Sequence, residues 1–358
     1  MKKLSMAVIL LTACMQTFAQ DSTDKPKLVS ITGSADVYYR YNFNNPKESP
    51  YNNFTSFTNS QNSFELNMAS VKFEHSSKKV DMVADLGFGE RAEEFSYNDT
   101  GSKVAIKQLY MSYSPSPIIK LTLGSWATHI GYELVDAYMN RNYSMSYMFS
   151  YGPFFHTGLK ADINLGGSNT LMFGVIDPTD MKTADEKMAV NNGVLPKMII
   201  GQFATATKNS KLKLYLNFLG GKYNDSAKMM HEDVVLTYTI NNKINLGYNG
   251  TVQSRSYRSN GEWGPFNAWW GSALYFNYDP ITWFGLSVRG EYFNDKKDVL
   301  GLNTSFITPT VSANFRIDNL TIIPEFRFDN ADNAVFYKNE TTTTKSTGSF
   351  ILAATYHF

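Results

Sequence analysis

The chain has 358 residues, 33 basic against 32 acidic side chains, a formal net charge of +1, one Cys and five His. A neutral chain carries no field to attract nucleic acid, and a lone cysteine with scattered histidines gives neither a disulfide framework nor a zinc-type cluster. No cofactor or metal is indicated.

In chain order, residues 1–19 read as an export signal. Lys2 and Lys3 supply the positive start, Leu4 to Ala13 an apolar core too short to span a bilayer, and Thr17-Phe18-Ala19 a small-x-small cleavage approach. The run Leu11-Thr12-Ala13-Cys14 is a competing lipoprotein-type signal, but polar sequence beginning at Gln20 favours cleavage after Ala19. Residues 20–358 then form one mature domain that is nearly neutral. Nothing in it approaches the ~18 to 20 apolar residues of a membrane-spanning helix. The other structure that satisfies its backbone in lipid is a closed β-barrel, whose strands need only ~9 to 11 residues and are apolar at every second position.

That period runs through the mature chain. Val37, Tyr39, Tyr41 and Phe43 alternate with Asp36, Tyr38, Arg40 and Asn42; Val80, Met82, Ala84 and Leu86 alternate with Asp81 and Asp85. The same pattern passes through Leu212 to Phe218, Phe284 to Tyr292 and Ile322 to Phe328. Strand starts are expected near residues 29, 63, 79, 104, 118, 155, 169, 197, 210, 232, 243, 268, 281, 306, 320 and 349. Sixteen is the expected number, with fourteen to eighteen allowed by phase shifts in the second and fourth segments. Short turns such as Ser76-Ser77-Lys78, Gly166-Gly167-Ser168 and Asp279-Pro280 alternate with long polar stretches near 44–62, 89–103, 127–154, 178–196, 221–231, 253–267, 294–305 and 329–347. Short periplasmic turns and long extracellular loops are the asymmetry of outer-membrane barrels, and sixteen strands is a size that leaves an aqueous lumen. The fold class is therefore an all-β transmembrane antiparallel barrel. A soluble sandwich or propeller also alternates, but has no reason to alternate long and short connections through eight cycles.

Phe350, Leu352, Ala354, Tyr356 and Phe358 alternate to a terminal aromatic, which is similar to the C-terminal insertion signal of outer-membrane barrels, read out at Tyr356 and Phe358. Aromatics bunched near strand ends, such as Trp269-Trp270 and Trp283-Phe284, fit girdles at both membrane interfaces.

Around residues 120–160 the sequence reads Leu123-Gly124-Ser125-Trp126, then Gly131-Tyr132-Glu133, Asn140-Arg141-Asn142-Tyr143-Ser144 and His156-Thr157-Gly158. This succession resembles the OmpL-like β-barrel porin family of Gram-negative outer membranes. The resemblance implies passive diffusion of small hydrophilic solutes and an outer-membrane location.

In a pore, inward charges and any loop folded into the barrel set what passes. The connection 127–154, with His129, Glu133, Asp136 and Arg141, is the candidate constriction loop; an external loop packed on its own Tyr and Met residues is the alternative. A charge facing lipid near mid-membrane costs ~2 to 4 kcal/mol, so strand charges belong in the lumen or at the interfaces. These are Asp36, Arg40, Asp81, Asp85, Lys107, Lys120 and Lys160 in the first half. Asp162, Lys213, Arg289, Glu291, Glu325 and Arg327 complete the set. Mixed signs predict weak ion selectivity. The other readings are a barrel hydrolase, built from His129 with Ser125 and Glu133 or from the run His231-Glu232-Asp233, and a non-conducting adhesin or structural barrel. No nucleophile signature supports the hydrolase, and no enzyme is expected. Expected partners are outer-membrane lipid, the barrel-assembly machinery and permeating solutes; between a monomer and a homotrimer the sequence does not choose.

Overall fold

The computed structural model describes residues 29–183, 195–338 and 342–358, so the expected export signal lies outside it. Alternation becomes sixteen long strands. The first eight are β1 (Ser30–Asn42), β2 (Ser63–Ser76), β3 (Val80–Phe88), β4 (Ile106–Tyr113), β5 (Ile119–Ala127), β6 (Phe155–Gly166), β7 (Asn169–Ile176) and β8 (Met198–Ala206). Then follow β9 (Leu212–Asn224), β10 (Ala227–Thr239), β11 (Ile244–Ser259), β12 (Asn267–Ile281), β13 (Phe284–Asn294), β14 (Ser305–Ile317), β15 (Leu320–Ala331) and β16 (Ser346–His357). Each pairs antiparallel with its chain neighbours, and β16 pairs back onto β1 through Ala35↔Tyr356 and Val37↔Ala354, which closes the barrel and leaves no free edge. The terminal residue completes the seam: Phe358 N–H donates to Gly33 O at 2.9 Å and Gly33 N–H to Phe358 O at 3.1 Å.

The period of two assigns each face. Outward lie Phe64 (83% exposed), Leu66 (82%), Leu274 (66%) and Leu123 (65%), an apolar belt with no water-soluble partner in the fold. Inward lie the polar positions. No helix among the described residues is long and apolar enough to cross a membrane. Two short helices, α1 (Glu90–Phe95) and α2 (Tyr147–Tyr151), sit in long loops at one end of the barrel, and the first and last described residues, 29 and 358, lie at the end with the short turns.

Two expected long loops are strand instead. Residues 221–231 and much of 253–267 extend β9, β10 and β11, and a two-residue turn at Asp225-Ser226 joins β9 to β10. Gly220, Gly221 and Lys222 interrupt the apolar pattern without interrupting the ladder, since Gly221 pairs with both Met198 and Met229. The wall is therefore taller on this side, and His231 lies within a strand.

Candidate pore constriction

Register and burial place the strand charges inside. Asp36 and Arg40 on β1, Asp85 on β3, Lys107 on β4, Arg289 and Glu291 on β13, and Glu325 and Arg327 on β15 are each no more than 5% exposed. Asp81, Lys120, Lys160 and Asp162 line a wetter stretch near the short-turn end, where Lys120 pairs with Asp81 at 2.8 Å and Lys160 with Asp162 at 3.2 Å.

What covers most of the first group is the connection between β5 and β6. Residues 128–154 fold into the lumen, because a segment this rich in Tyr, Met and Phe is too apolar to extend into water. Tyr143, Met145 and Tyr147 are at most 1% exposed. The segment forms only one 3₁₀ turn (Ala137–Met139) and α2, whose first turn is capped by Ser146 Oγ accepting from Phe149 N–H at 3.1 Å. Most of its amides therefore need partners outside the loop, since a buried N–H left unpaired costs ~1 to 3 kcal/mol.

Wall carboxylates supply them. Glu325 accepts from Tyr143 N–H at 2.7 Å and Ser144 N–H at 3.0 Å, and Glu291 accepts from Tyr147 N–H at 3.0 Å and Met148 N–H at 2.9 Å. The loop's own Glu133 accepts from Ser146 N–H at 2.7 Å. Arginines take the carbonyls: Arg289 donates to Ser144 O at 2.7 Å and pairs with Glu133 at 2.5 Å, while Arg327 donates to Met145 O at 2.6 Å and pairs with Asp329 at 2.8 Å. Charge-assisted bonds of this kind are roughly twice as strong as neutral ones. The loop then reaches the short-turn end, where Arg141 holds Asp279 through two bonds of 2.7 and 2.6 Å and Tyr138 stacks on His357 at 4.7 Å.

Of the sequence candidates, the fold thus brings Glu133, Arg289, Glu291, Glu325 and Arg327 onto one stretch of loop. Asp36 joins through Tyr143 Oη, which donates to it at 2.6 Å. Asp136 meets Lys107 at 2.5 Å, and Lys107 also meets Asp85 at 3.2 Å. Arg40 serves a different segment, donating to Ser60 O at 2.6 Å and Tyr51 O at 3.1 Å of the first long loop. His129 lies apart, with Nε2 3.1 Å from Phe218 O. Arg91 of α1 joins the cluster without a sequence signal: fully buried, it donates to Val135 O at 3.0 Å, has Nε 3.5 Å from Asp36, and lies over the Phe57 and Tyr143 rings at 4.7 and 5.3 Å. Nothing periodic marks it, because α1 has only six residues.

The imagined catalytic groupings are not assembled. Glu133 is engaged by Arg289, away from His129. His231 and Asp233 face the lumen, buried, while Glu232 faces outward; His231 meets Thr251 Oγ1 at 2.6 Å and Gln253 at 3.0 Å. β10 begins at Ala227 and carries both His231 and Asp233 inside.

At the loop end, Asp180 accepts from Phe154 N–H at 2.6 Å, Phe155 N–H at 3.1 Å and Tyr97 Oη at 3.1 Å, fixing the point where the inserted loop rejoins β6. Burial outweighs these donors and pushes its carboxyl up to about 6.

A family model described as "Putative beta-barrel porin-2, OmpL-like" matches residues 28–358. No curated protein matches the chain. Among solved structures, the outer membrane channel DcaP of Acinetobacter baumannii aligns with a TM-score of 0.62 at 9% identity, over 92% of this chain and 97% of that one. An anion-selective porin from Comamonas acidovorans aligns at 0.60 and 11% identity, over 92% and 99%. Outer-membrane OmpT of Vibrio cholerae, in a trimer form, aligns at 0.57 and 11% identity, over 92% and 99%.

Proposed function

Because the chain belongs to the OmpL-like family of β-barrel porins and is itself a porin for passive diffusion, we propose that loop 128–154 is its constriction and that small hydrophilic solutes cross a lumen narrowed by that loop. The observation that carries this reading is the capture of the loop backbone by Glu325, Glu291, Arg289 and Arg327. A loop held by buried charged groups from several strands narrows the lumen permanently and does not drift in it.

Ion selectivity is weak in this reading. Its support is the pairing of opposite charges where the lumen is wet, Lys72 with Glu74 at 2.7 Å and Lys120 with Asp81 at 2.8 Å, which leaves little net field for a permeating ion. The protein resides in the outer membrane after export through residues 1–19, and Tyr356 and Phe358 present the insertion signal to the assembly machinery. A homotrimer is the proposed assembly, supported by the trimeric form of the OmpT structure. No catalysis is proposed, since no observed grouping favours it.

Single-channel recording of refolded residues 20–358 in a planar bilayer tests the reading. Small, stable conductance steps with a reversal potential near zero in a salt gradient are expected; a heat-modifiable, folded barrel that never conducts would overturn it.

A further inference from the structure

Resting on the diffusion reading, we infer that solutes pass between the inserted loop and strands β5–β9, and that an apolar band on that arc is the gate of the channel. Past Ile130 the loop's hydrogen bonds and ion pairs to strands, among the described residues, go to β1, β2, β4 and β10–β15, with others to Arg91 of α1 and Ser56 of the first long loop; on the β5–β9 side the loop is held past Ile130 by Phe154 N–H on Asp180 of the β7–β8 connection, where it rejoins β6. The loop is thus fastened to most of the wall and unfastened from one arc of it, and that arc is where a path can open without breaking the buried charged contacts.

The same arc differs in chemistry. Toward the short-turn end it is wet and charged, with Lys120, Lys160 and Asp162 at 19 to 38% exposure. Further toward the loop end the inward positions turn apolar: Trp126 on β5, Ile176 on β7, Met198 and Ile200 on β8, and Leu219 on β9, each no more than 5% exposed, with the buried His156 of β6 beside Trp126. Their register makes them one band, since Ile176 pairs with Met198 and Ile200 with Leu219. Ile130, 6% exposed, packs on it from the loop side. At the same level β10 and β11 carry His231 and Gln253, and the apolar inward positions of β12–β14, Trp269, Phe293 and Phe306, are packed by Tyr147 and Met148 of the loop, so the β5–β9 band is the apolar stretch of wall that faces the unfastened side. Narrow apolar constrictions in channels resist wetting and close to hydrated ions without a steric plug. His129 Nε2 against Phe218 O at 3.1 Å and Gly131 N–H donating to Asp233 at 3.1 Å are the tethers that hold Ile130 against the band. What the gate discriminates by is hydration, and solutes with a weakly hydrated face cross it more readily than strongly hydrated ions of equal size.

The test compares potassium chloride conductance of the refolded mature chain with that of Ile130→Gly, which leaves the wall untouched, and of the double variant Ile200→Asn with Leu219→Asn, each checked for folding by heat modifiability. A several-fold larger conductance in either variant is the expected result. Equal conductance in the wild-type chain and the folded variants would overturn the gate while leaving the diffusion reading intact; absence of conductance from all of them would overturn that reading as well. Should the double variant fail to fold, Ile130→Gly decides alone.

Discussion

Asp180 shows how a single residue can be charged at a cost. Its carboxyl is buried, so the folded protein holds the proton up to about pH 6, against an ordinary value of 3.8. Between these pH values the folded state binds more protons than the unfolded one, so stability at this site is greatest in acid and declines as pH rises through about 6. A displacement of that size corresponds to roughly 3 kcal/mol. Asp180→Asn keeps an oxygen for the Phe154 and Phe155 amides and tolerates the left-handed backbone of φ 62° found there. The variant is expected to melt higher than wild type at pH 8 and to lose that advantage at pH 4, in thermal unfolding followed by heat modifiability. Glu325 makes the opposite case, because it accepts two loop amides and the Ser312 hydroxyl at 2.7 Å. Glu325→Ala strands those donors and is expected to make residues 138–148 accessible to protease in a barrel that still assembles, whereas Glu325→Gln restores much of the protection.

Among elements, β14 and β15 form an unusual pair, since each carries a proline mid-strand, Pro309 and Pro324. Their ladder skips from Ile307↔Asn330 to Thr310↔Arg327 and from Ser312↔Glu325 to Phe315↔Ile322, while both prolines remain in register with their other neighbours, Gly290 and Leu352. A proline has no N–H to give, so both gaps fall on one seam. Side chains staple that seam from the lumen: Thr308 Oγ1 donates to Asp329 at 3.1 Å and Ser312 Oγ to Glu325 at 2.7 Å. The lipid face makes a different demand. Leu216, 47% exposed on β9, changed to Arg is expected to impair membrane assembly at a cost of ~2 to 4 kcal/mol, while Lys213→Ala on the inward face of the same strand assembles normally; equal yields of heat-modifiable barrel would mean that the faces are reversed.

For the whole molecule, barrel, strand number and facing were legible because a period of two leaves its mark on every strand: Asp36 and Arg40 sit inward because Val37 and Tyr41 sit outward. Loop lengths were less legible, as at residues 221–231, since glycine and lysine can continue a ladder that is already paired on both sides. The inserted loop left a weaker trace. Its aromatic and methionine content marks it as apolar, but its partners Glu291 and Glu325 lie on strands more than a hundred residues away, and no local pattern encodes a contact at that range.

The same separation imposes an order in time. Tyr143 and Ser144 wait for a carboxylate 182 and 181 positions downstream, and β1 waits for the last residue of the chain. Until the C-terminal strands arrive, Tyr143, Ser144, Tyr147 and Met148 lack the carboxylates that take their amides, and the rings beside them lack the wall they pack on. The unfolded polypeptide therefore carries a sticky, unsheltered interior segment, and its most vulnerable moment falls just before the final strand closes the wall.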